Sequence, residues 1–222
     1  MTHRQSIHHN IATNQRLRCS ASGCPRMRSR VGKWCSRHGQ QVHTHGAPNA
    51  HRLLRREYLR EVEEVSQFLE HHANHVGVRI GIQCLQQWLD AAKARDHTVP
   101  AYEQMARLSI SRVSALSILI EVAAVWLYAT RNIRALDDGE QLTFALGTAV
   151  LHLAPRAVRA VWVQGEQREM PRRIGGPARR EVGQYIRDTL APLLLNVATT
   201  IDRTTLRSDD TRAALRAPFG SV

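Results

Sequence analysis

Apolar residues are distributed unevenly along the 222-residue chain. Between Cys19 and Pro48 there are very few Leu, Ile or Val residues, whereas from His51 onward apolar positions recur every three or four residues. This recurrence places apolar side chains on one face of an α-helix. The pattern therefore predicts a mainly α-helical protein, in which a small N-terminal segment of a different kind precedes an all-helical domain.

The apolar spacing predicts a series of helical segments joined by turns. The expected segments cover residues 50–74, 78–95, 100–131, 142–153 and 178–203. Residues 165–177 are polar and rich in Gly and Pro, which is typical of a loop. We expect a frayed tail after Thr204.

The most apolar run, Val113–Ala129, raises the question of a membrane span. It falls short of the ~20 apolar residues that a span needs, and it contains Glu121. We therefore expect a buried core helix and no membrane partner.

Residues 1–18 are polar rather than apolar, so we expect no secretory signal and a reducing, cytoplasmic environment.

The segment that lacks apolar residues carries three cysteines and a histidine at metal-ligand spacing. About thirty residues of this composition cannot fold by apolar burial alone, so a metal ion or a crosslink is needed. Zinc takes four thiolate or imidazole ligands in a tetrahedron. The expected ligands follow the pattern C-x4-C-x10-C-x2-H and are Cys19, Cys24, Cys35 and His38.

The residues around these ligands predict the local structure. Gly23 permits a tight backbone turn between the first two cysteines. Residues 26–33 are expected to form a small hairpin, and the last ligand pair is expected on the first turn of a short helix. His43 and His45 are alternatives for the fourth ligand, although the x2 spacing favours the earlier histidine. Cys84 lies in an apolar helical pattern and is expected to be a core residue.

The net charge of +12 is concentrated at the N-terminus. Residues 1–60 contain twelve of the 31 Lys and Arg residues but one of the 19 acidic residues, which leaves +11 there and +1 on residues 61–222. A basic segment beside a nearly neutral domain is typical of a polyanion-binding module. We expect nucleic acid as the partner, with an acidic protein or a membrane surface as the alternatives.

Basic residues in and after the cysteine-rich segment are the candidate phosphate contacts, which supply affinity without sequence information. The candidates are Arg26, Arg28, Arg30, Lys33, Arg37, Arg52, Arg55 and Arg56. A second basic cluster surrounds the turn at Gly175 and Gly176, and it is either a further phosphate contact or a solvated loop. Its members are Arg168, Arg172, Arg173, Arg179 and Arg180.

Three motifs follow one another between Arg18 and Pro48: CSASGC, then VGKWCSRH, then HGAP. A Cys pair, a basic stretch with a Gly, a Cys-x-x-His pair and a closing His-Gly-x-Pro resemble a short zinc-finger module. This module is common in phage and mobile-element proteins, often beside HNH-type homing endonuclease domains. The resemblance implies a treble-clef-like fold and metal-stabilised DNA contact in a protein of phage or bacterial origin.

These patterns together predict a non-enzymatic protein of the bacterial cytoplasm that binds duplex DNA. One structural zinc ion is expected, and the N-terminal quarter is expected to contact the phosphate backbone. The predicted organisation is a disordered basic arm, a zinc finger, a helical domain and a frayed tail, at residues 1–17, 18–48, 49–203 and 204–222.

Two alternatives belong to other functional classes. The first is a metal-dependent nuclease or replication enzyme whose site lies in the helical domain. Its candidate acidic ligands are Asp90, Asp96, Asp137, Asp138 and Glu140. The second is an inhibitor or adaptor, in which the helical domain binds a host protein and zinc only holds the N-terminal segment together.

Overall fold

The structure is a computed structural model. It describes residues 3–50, 52–94, 100–133, 136, 139–155, 158–163, 166–171 and 174–216. Across these residues the chain forms eight α-helices and one two-stranded antiparallel sheet, so the prediction of a mainly α-helical protein is confirmed. The helices are α1 (His3–Gln15), α2 (Ser36–His45), α3 (Leu59–His71), α4 (Val76–Ala94), α5 (Pro100–Ile110), α6 (Ala115–Arg131), α7 (Gly139–Leu151) and α8 (Gly176–Arg216). The strands are β1 (Val158–Val163) and β2 (Glu166–Pro171).

Helix α6 lies at the centre of the core and packs against α3, α4, α7 and α8. The hydroxyl of Ser114 caps it by accepting a hydrogen bond from the backbone N–H of Ser117 at 3.0 Å. Side chains such as Ile118 and Leu127 are fully buried, as expected for the apolar run Val113–Ala129. Within the part of the chain that the structure describes, no helix has both the length and the apolar character needed to cross a membrane.

Helices α7 and α8 approach each other so closely that two glycines are required between them. A Cβ atom on Gly147 would overlap the carbonyl oxygen of Arg179. A Cβ atom on Gly183 would likewise overlap the carbonyl oxygen of Thr143. The two helix backbones are therefore in direct contact, which larger side chains would prevent.

Arg131, at the end of α6, joins three elements through carboxylates. Its guanidinium lies 2.7 Å from a carboxylate oxygen of Glu64, 3.5 Å from one of Glu61 and 2.9 Å from one of Asp202. Glu61 and Glu64 belong to α3, whereas Asp202 belongs to α8. Partial burial opposes ionisation of Glu64, but the hydrogen bond and charge of Arg131 lower the pKa of this carboxyl. The network therefore holds α3 and α8 against the end of α6.

The segment expected to form one helix over residues 50–74 is divided, and this prediction of its start is wrong. A short 3-10 helix at Arg55–Glu57 precedes α3, which begins at Leu59. The buried Glu121 of α6 explains the break, because it accepts a hydrogen bond from Arg55 at 2.7 Å and one from the hydroxyl of Tyr58 at 3.1 Å. A buried carboxylate without partners destabilises the folded state. The chain before α3 therefore departs from the helix to bring these donors to Glu121.

The hairpin formed by β1 and β2 corrects the expectation of a loop over residues 165–177. Val158 pairs with Pro171 at one end of the hairpin, and Val163 pairs with Glu166 at the other. The sequence of β2 is polar and gives little strand signal on its own. Pairing with the Val-rich β1 supplies the backbone hydrogen bonds that make it a strand.

Both ends of the described chain contain helix where the sequence predicted a disordered arm and a frayed tail. Residues 1–17 were expected to be disordered, but α1 covers His3–Gln15. The end of α1 is held by Asn14, whose side-chain amide donates to the carbonyl oxygens of Ser29 and Gly32 at 3.0 and 2.9 Å. The tail after Thr204 was expected to fray, but α8 continues to Arg216 because no Gly or Pro interrupts that stretch of sequence.

Substitution Gly147→Ala should lower the free energy of unfolding by about 1–3 kcal/mol, because the new methyl group forces α7 and α8 apart. Urea unfolding followed by circular dichroism measures this change. Gly139→Ala is the matched control, since its Cβ would lie 3.4 Å from the flexible guanidinium of Arg187. The control should change stability by less than about 0.5 kcal/mol. Equal losses in the two variants would contradict the close contact.

Candidate metal centre

The first two cysteines lie on either side of a tight turn. The backbone N–H of Cys24 donates to the carbonyl of Ala21 at 3.1 Å, and Gly23 has a φ of +70°. This left-handed conformation is one that glycine adopts without strain, as the sequence predicted. An antiparallel bridge between Arg18 and Met27 closes the hairpin around this turn. The hairpin thus lies N-terminal to its expected position at residues 26–33.

Residues 29–34 form a loop that returns the chain to the first cysteine. The backbone N–H of Ser29 donates to the carbonyl of Trp34 at 2.9 Å, and that of Ser20 donates to the carbonyl of Lys33 at 2.9 Å. Gly32 supplies a second left-handed position, with a φ of +95°. These bonds place the second ligand pair directly beside the first.

Helix α2 carries the second ligand pair. Cys35 is the residue that precedes the helix, and His38 lies on its first turn. Residues three apart in a helix face the same side, so both side chains point toward the cysteines of the hairpin. The predicted short helix is thereby confirmed, and it continues to a glycine cap at Gly46 with a φ of +88°.

The four candidate ligands converge on one point and are called the Cys3His cluster below. Its members are Cys19, Cys24, Cys35 and His38, whose ligand atoms all lie within 4.8 Å of one another. The Sγ atoms of Cys24 and Cys35 are 4.0 Å apart, and Sγ of Cys19 is 3.3 Å from Nδ1 of His38. Tetrahedral coordination with metal–ligand bonds of 2.0–2.3 Å requires separations of about 3.5–3.8 Å. The distances are therefore compatible with a single metal ion, zinc included.

Hydrogen bonds lower the pKa of the Cys19 thiol. Burial opposes its ionisation, but hydrogen bonds from the backbone at Ala21 and Cys35 and from His38 lower the pKa of Cys19 to about 6. A backbone hydrogen bond acts to lower the pKa of Cys24, but burial and the adjacent Cys19 thiolate raise it overall. Like charges at this distance repel, so a bound cation is what allows all the thiols to ionise together.

Within the described residues, the Cys3His cluster is the one group of three or more Cys, His, Asp or Glu side chains close enough to hold a metal ion. His43 and His45 lie further along α2 and are not part of it. Cys84 lies on α4, also outside the cluster. The choice of ligand among the three histidines of α2 thus agrees with the x2 spacing.

The candidate phosphate contacts around the cluster differ in their surroundings. Four of them are exposed, namely Arg26, Arg30, Lys33 and Arg37. Arg28 is half-buried and holds the finger (residues 18–48) together, because its guanidinium donates to the carbonyl of Arg18 at 3.1 Å and to the hydroxyl of Ser20 at 3.2 Å. It also donates to the side-chain oxygen of Asn14 at 3.4 Å. Asn14 is a supporting residue that no pattern in the sequence singles out.

The candidates that follow the finger are not on a long helix. Arg52 and Arg56 are exposed, and Arg55 forms an ion pair of 2.6 Å with the buried Glu121. The side chain of Arg55 is still 62% exposed. Its positive charge is nevertheless already paired with a carboxylate, so less of it is available to another anion than the sequence indicated.

The residues of the second basic cluster and the candidate acidic ligands are dispersed where the structure describes them. Arg168 pairs with Glu166, and Arg180 pairs with Glu140. Asp90 accepts a hydrogen bond from the side chain of Gln86 on the same helix. The remaining candidates except Arg179 lie outside the described residues, and they are Asp96, Asp137, Asp138, Arg172 and Arg173.

The finger, defined as residues 18–48, is attached to the helical domain through the end of α2. A Cβ atom on Gly46 would collide with the ring of Phe144 and with the backbone of Glu140 on α7. On α8, Arg179 donates to the carbonyl of Thr44 at 3.2 Å. The Cys3His cluster therefore fixes one end of a helix whose other end is packed against the core.

Compared with known proteins, the chain matches no protein-family model, no curated protein and no solved structure.

Substitution Cys35→Ser should remove the bound metal, because three ligands and a poor hydroxyl donor hold the ion far more weakly than four ligands. Elemental analysis of purified protein should give about one ion per chain for the native protein and much less for the variant. Cys84→Ser is the control and should keep the ion. Retention of a full ion by both variants would show that the ligand assignment is wrong.

Removal of the metal with a chelator should open the finger while the helices of the core persist, because the energy of metal binding is folding energy in such a segment. Limited digestion with trypsin should then cleave rapidly after Arg26, Arg30 and Arg37, whereas circular dichroism should lose little helical signal. Unchanged resistance to trypsin after complete removal of the ion would contradict this account.

Proposed function

We propose that the protein holds one structural zinc ion in the Cys3His cluster and binds duplex DNA through the basic surface around it. The observation that carries this proposal is the coincidence of a four-ligand cluster with exposed cationic side chains on the same small segment. The ion stabilises the segment, and the cations supply affinity for phosphate.

The donor set supports zinc. Three thiols and one imidazole form a closed tetrahedral set of the kind found in structural zinc sites, where no position is left for a reacting water molecule. Calcium and magnesium ions prefer oxygen ligands. A site made of thiolate and imidazole ligands, which are softer, therefore does not suit either ion. The ion is therefore proposed to be structural and not catalytic.

The position of the basic side chains supports a polyanion as the partner. Arg26 is exposed on the hairpin, Arg30 is exposed on the loop that follows it, and Arg37 is exposed on α2. All three extend from a segment whose net charge is strongly positive. The likeness of residues 18–48 to zinc fingers of phage and mobile-element proteins favours DNA among polyanions, and with it a bacterial cytoplasmic setting.

Affinity for duplex DNA should fall steeply with salt, because each neutralised phosphate releases condensed counterions. About six simultaneous contacts predict a log–log slope of roughly −5. Neutralising Arg26, Arg30 and Lys33 by substitution with Gln should flatten the slope by about two to three units. The substitutions should also weaken binding to duplexes of different DNA sequence nearly equally. Fluorescence anisotropy at several salt concentrations measures the slope for the full-length, metal-loaded protein.

A control variant removes the same number of charges from the helical domain. Arg79, Lys93 and Arg203 are exposed and distant in sequence from the finger, so their replacement by Gln should leave the slope nearly unchanged. If both triple variants lose the same affinity, binding reflects net charge alone and the finger is not the interface. If the native protein binds no duplex at low salt while retaining its ion, the adaptor alternative takes the place of DNA binding.

A further inference from the structure

A basic cleft lies where the finger meets the helical domain. Its walls come from the end of α2, the segment after the finger, α5, the end of α7 and the start of α8. Its volume is about 790 Å³. Pockets for nucleotide-sized molecules typically have volumes of about 300–1,000 Å³. The cleft is therefore large enough for a small ligand but not for a segment of duplex DNA.

The ionisable residues that line the cleft are all basic. Three arginines and three histidines line it, and none of its described lining residues is an aspartate or a glutamate. These residues are Arg52, Arg107, Arg179, His43, His45 and His152. They come from distant parts of the sequence, so their convergence is a property of the tertiary fold. Basic groups gathered in a concave site without acidic neighbours concentrate a positive potential there.

Arg179 contributes positive charge to the cleft and is paired with no carboxylate among the described residues. One terminal nitrogen of its guanidinium donates to the carbonyl of Thr44, but its Nε is buried without an acceptor among the described residues. Burial, together with repulsion from Arg52, lowers the pKa of Arg179. Two guanidinium groups held close together in a partly buried site favour an anion that can accept hydrogen bonds from both.

The start of α8 also lies in the wall of the cleft. Gly175 and Gly176 line it, and α8 begins at the second of these glycines. The first N–H groups of a helix lack acceptors within the helix and favour negative charge. The cleft therefore combines arginine side chains, histidine side chains and a helix N-terminus around one space.

We propose that this cleft binds a phosphomonoester of nucleotide size. A phosphate group offers several oxygen acceptors and up to two negative charges, which suits converging guanidinium groups better than a carboxylate does. Such a group is present in a free nucleotide and at the 5′ end of a nucleic acid strand. The inference rests on the cleft alone and is independent of DNA binding by the finger.

Isothermal titration calorimetry on the full-length, metal-loaded protein tests the proposal with two pairs of probes. The first pair is adenosine 5′-monophosphate and adenosine, and the second is a short single strand with and without a 5′-phosphate. In at least one pair, the phosphorylated probe should bind at least about tenfold more tightly than its unphosphorylated counterpart. Discrimination in the first pair identifies free nucleotides as ligands, and discrimination in the second pair alone identifies strand ends.

Two substitutions in the cleft and one outside it locate the binding site. Arg52→Gln removes an exposed cleft arginine, and Arg179→Gln removes a half-buried one. Each substitution should lower the affinity for the phosphorylated probe by roughly tenfold. Arg180→Gln is the matched control, because Arg180 is adjacent on α8 but pairs with Glu140 and does not line the cleft. Its affinity should stay within about twofold of the native value. The Arg52 variant tests the site even if the Arg179 variant proves unstable.

Two results would overturn the proposal. One is equal binding of phosphorylated and unphosphorylated probes in both pairs, and the other is an equal loss of affinity in the Arg52 and Arg180 variants. The finger variant with Arg26, Arg30 and Lys33 replaced should retain phosphomonoester binding. Failure of duplex binding by the finger and failure of the cleft are thus separate outcomes.

Discussion

The N-terminal quarter of this protein must fold without an apolar core of its own. Beside the cysteines, its small buried cluster contains Ala21 and the partly buried Trp34. Four ligand atoms within 4.8 Å of one another take the place of that core. Because the cluster fixes the start of α2 and the core fixes its end, the position of the finger depends on both. The basic cleft has α2 as one of its walls, so its shape depends on the same constraint.

Arginine has two different roles in the fold. Arg131 and Arg55 compensate carboxylates that are buried or partly buried, and Arg28 ties the finger to α1. These contacts hold helices together and leave less charge for a ligand. The exposed arginines of the finger, and Arg52 and Arg179 in the cleft, are the ones that we propose to interact with phosphate. Net charge alone does not distinguish these roles, whereas the contacts of each side chain do.

The sequence predicts features that depend on local spacing and misses those that depend on distant contacts. The ligands of the Cys3His cluster follow from their spacing and from the absence of apolar neighbours, and the core helix α6 follows from its continuous apolar run. The break before α3 depends on Glu121, sixty-six positions after Arg55. The strand β2 depends on pairing with β1. The cleft escaped prediction because its basic residues come from five separate segments. Arg52 and Arg179 were expected in two different basic clusters, and their spacing in the sequence does not indicate that the fold brings them together.

The central claim is that three sulfur atoms and one nitrogen atom of residues 18–48 hold a zinc ion. X-ray absorption spectroscopy at the zinc edge of the purified, full-length protein tests this claim most directly. The account predicts a first shell of three sulfur atoms at about 2.3 Å and one nitrogen atom at about 2.0–2.1 Å. A first shell composed only of nitrogen and oxygen atoms, or protein that contains no zinc after growth and purification with zinc present, would contradict it.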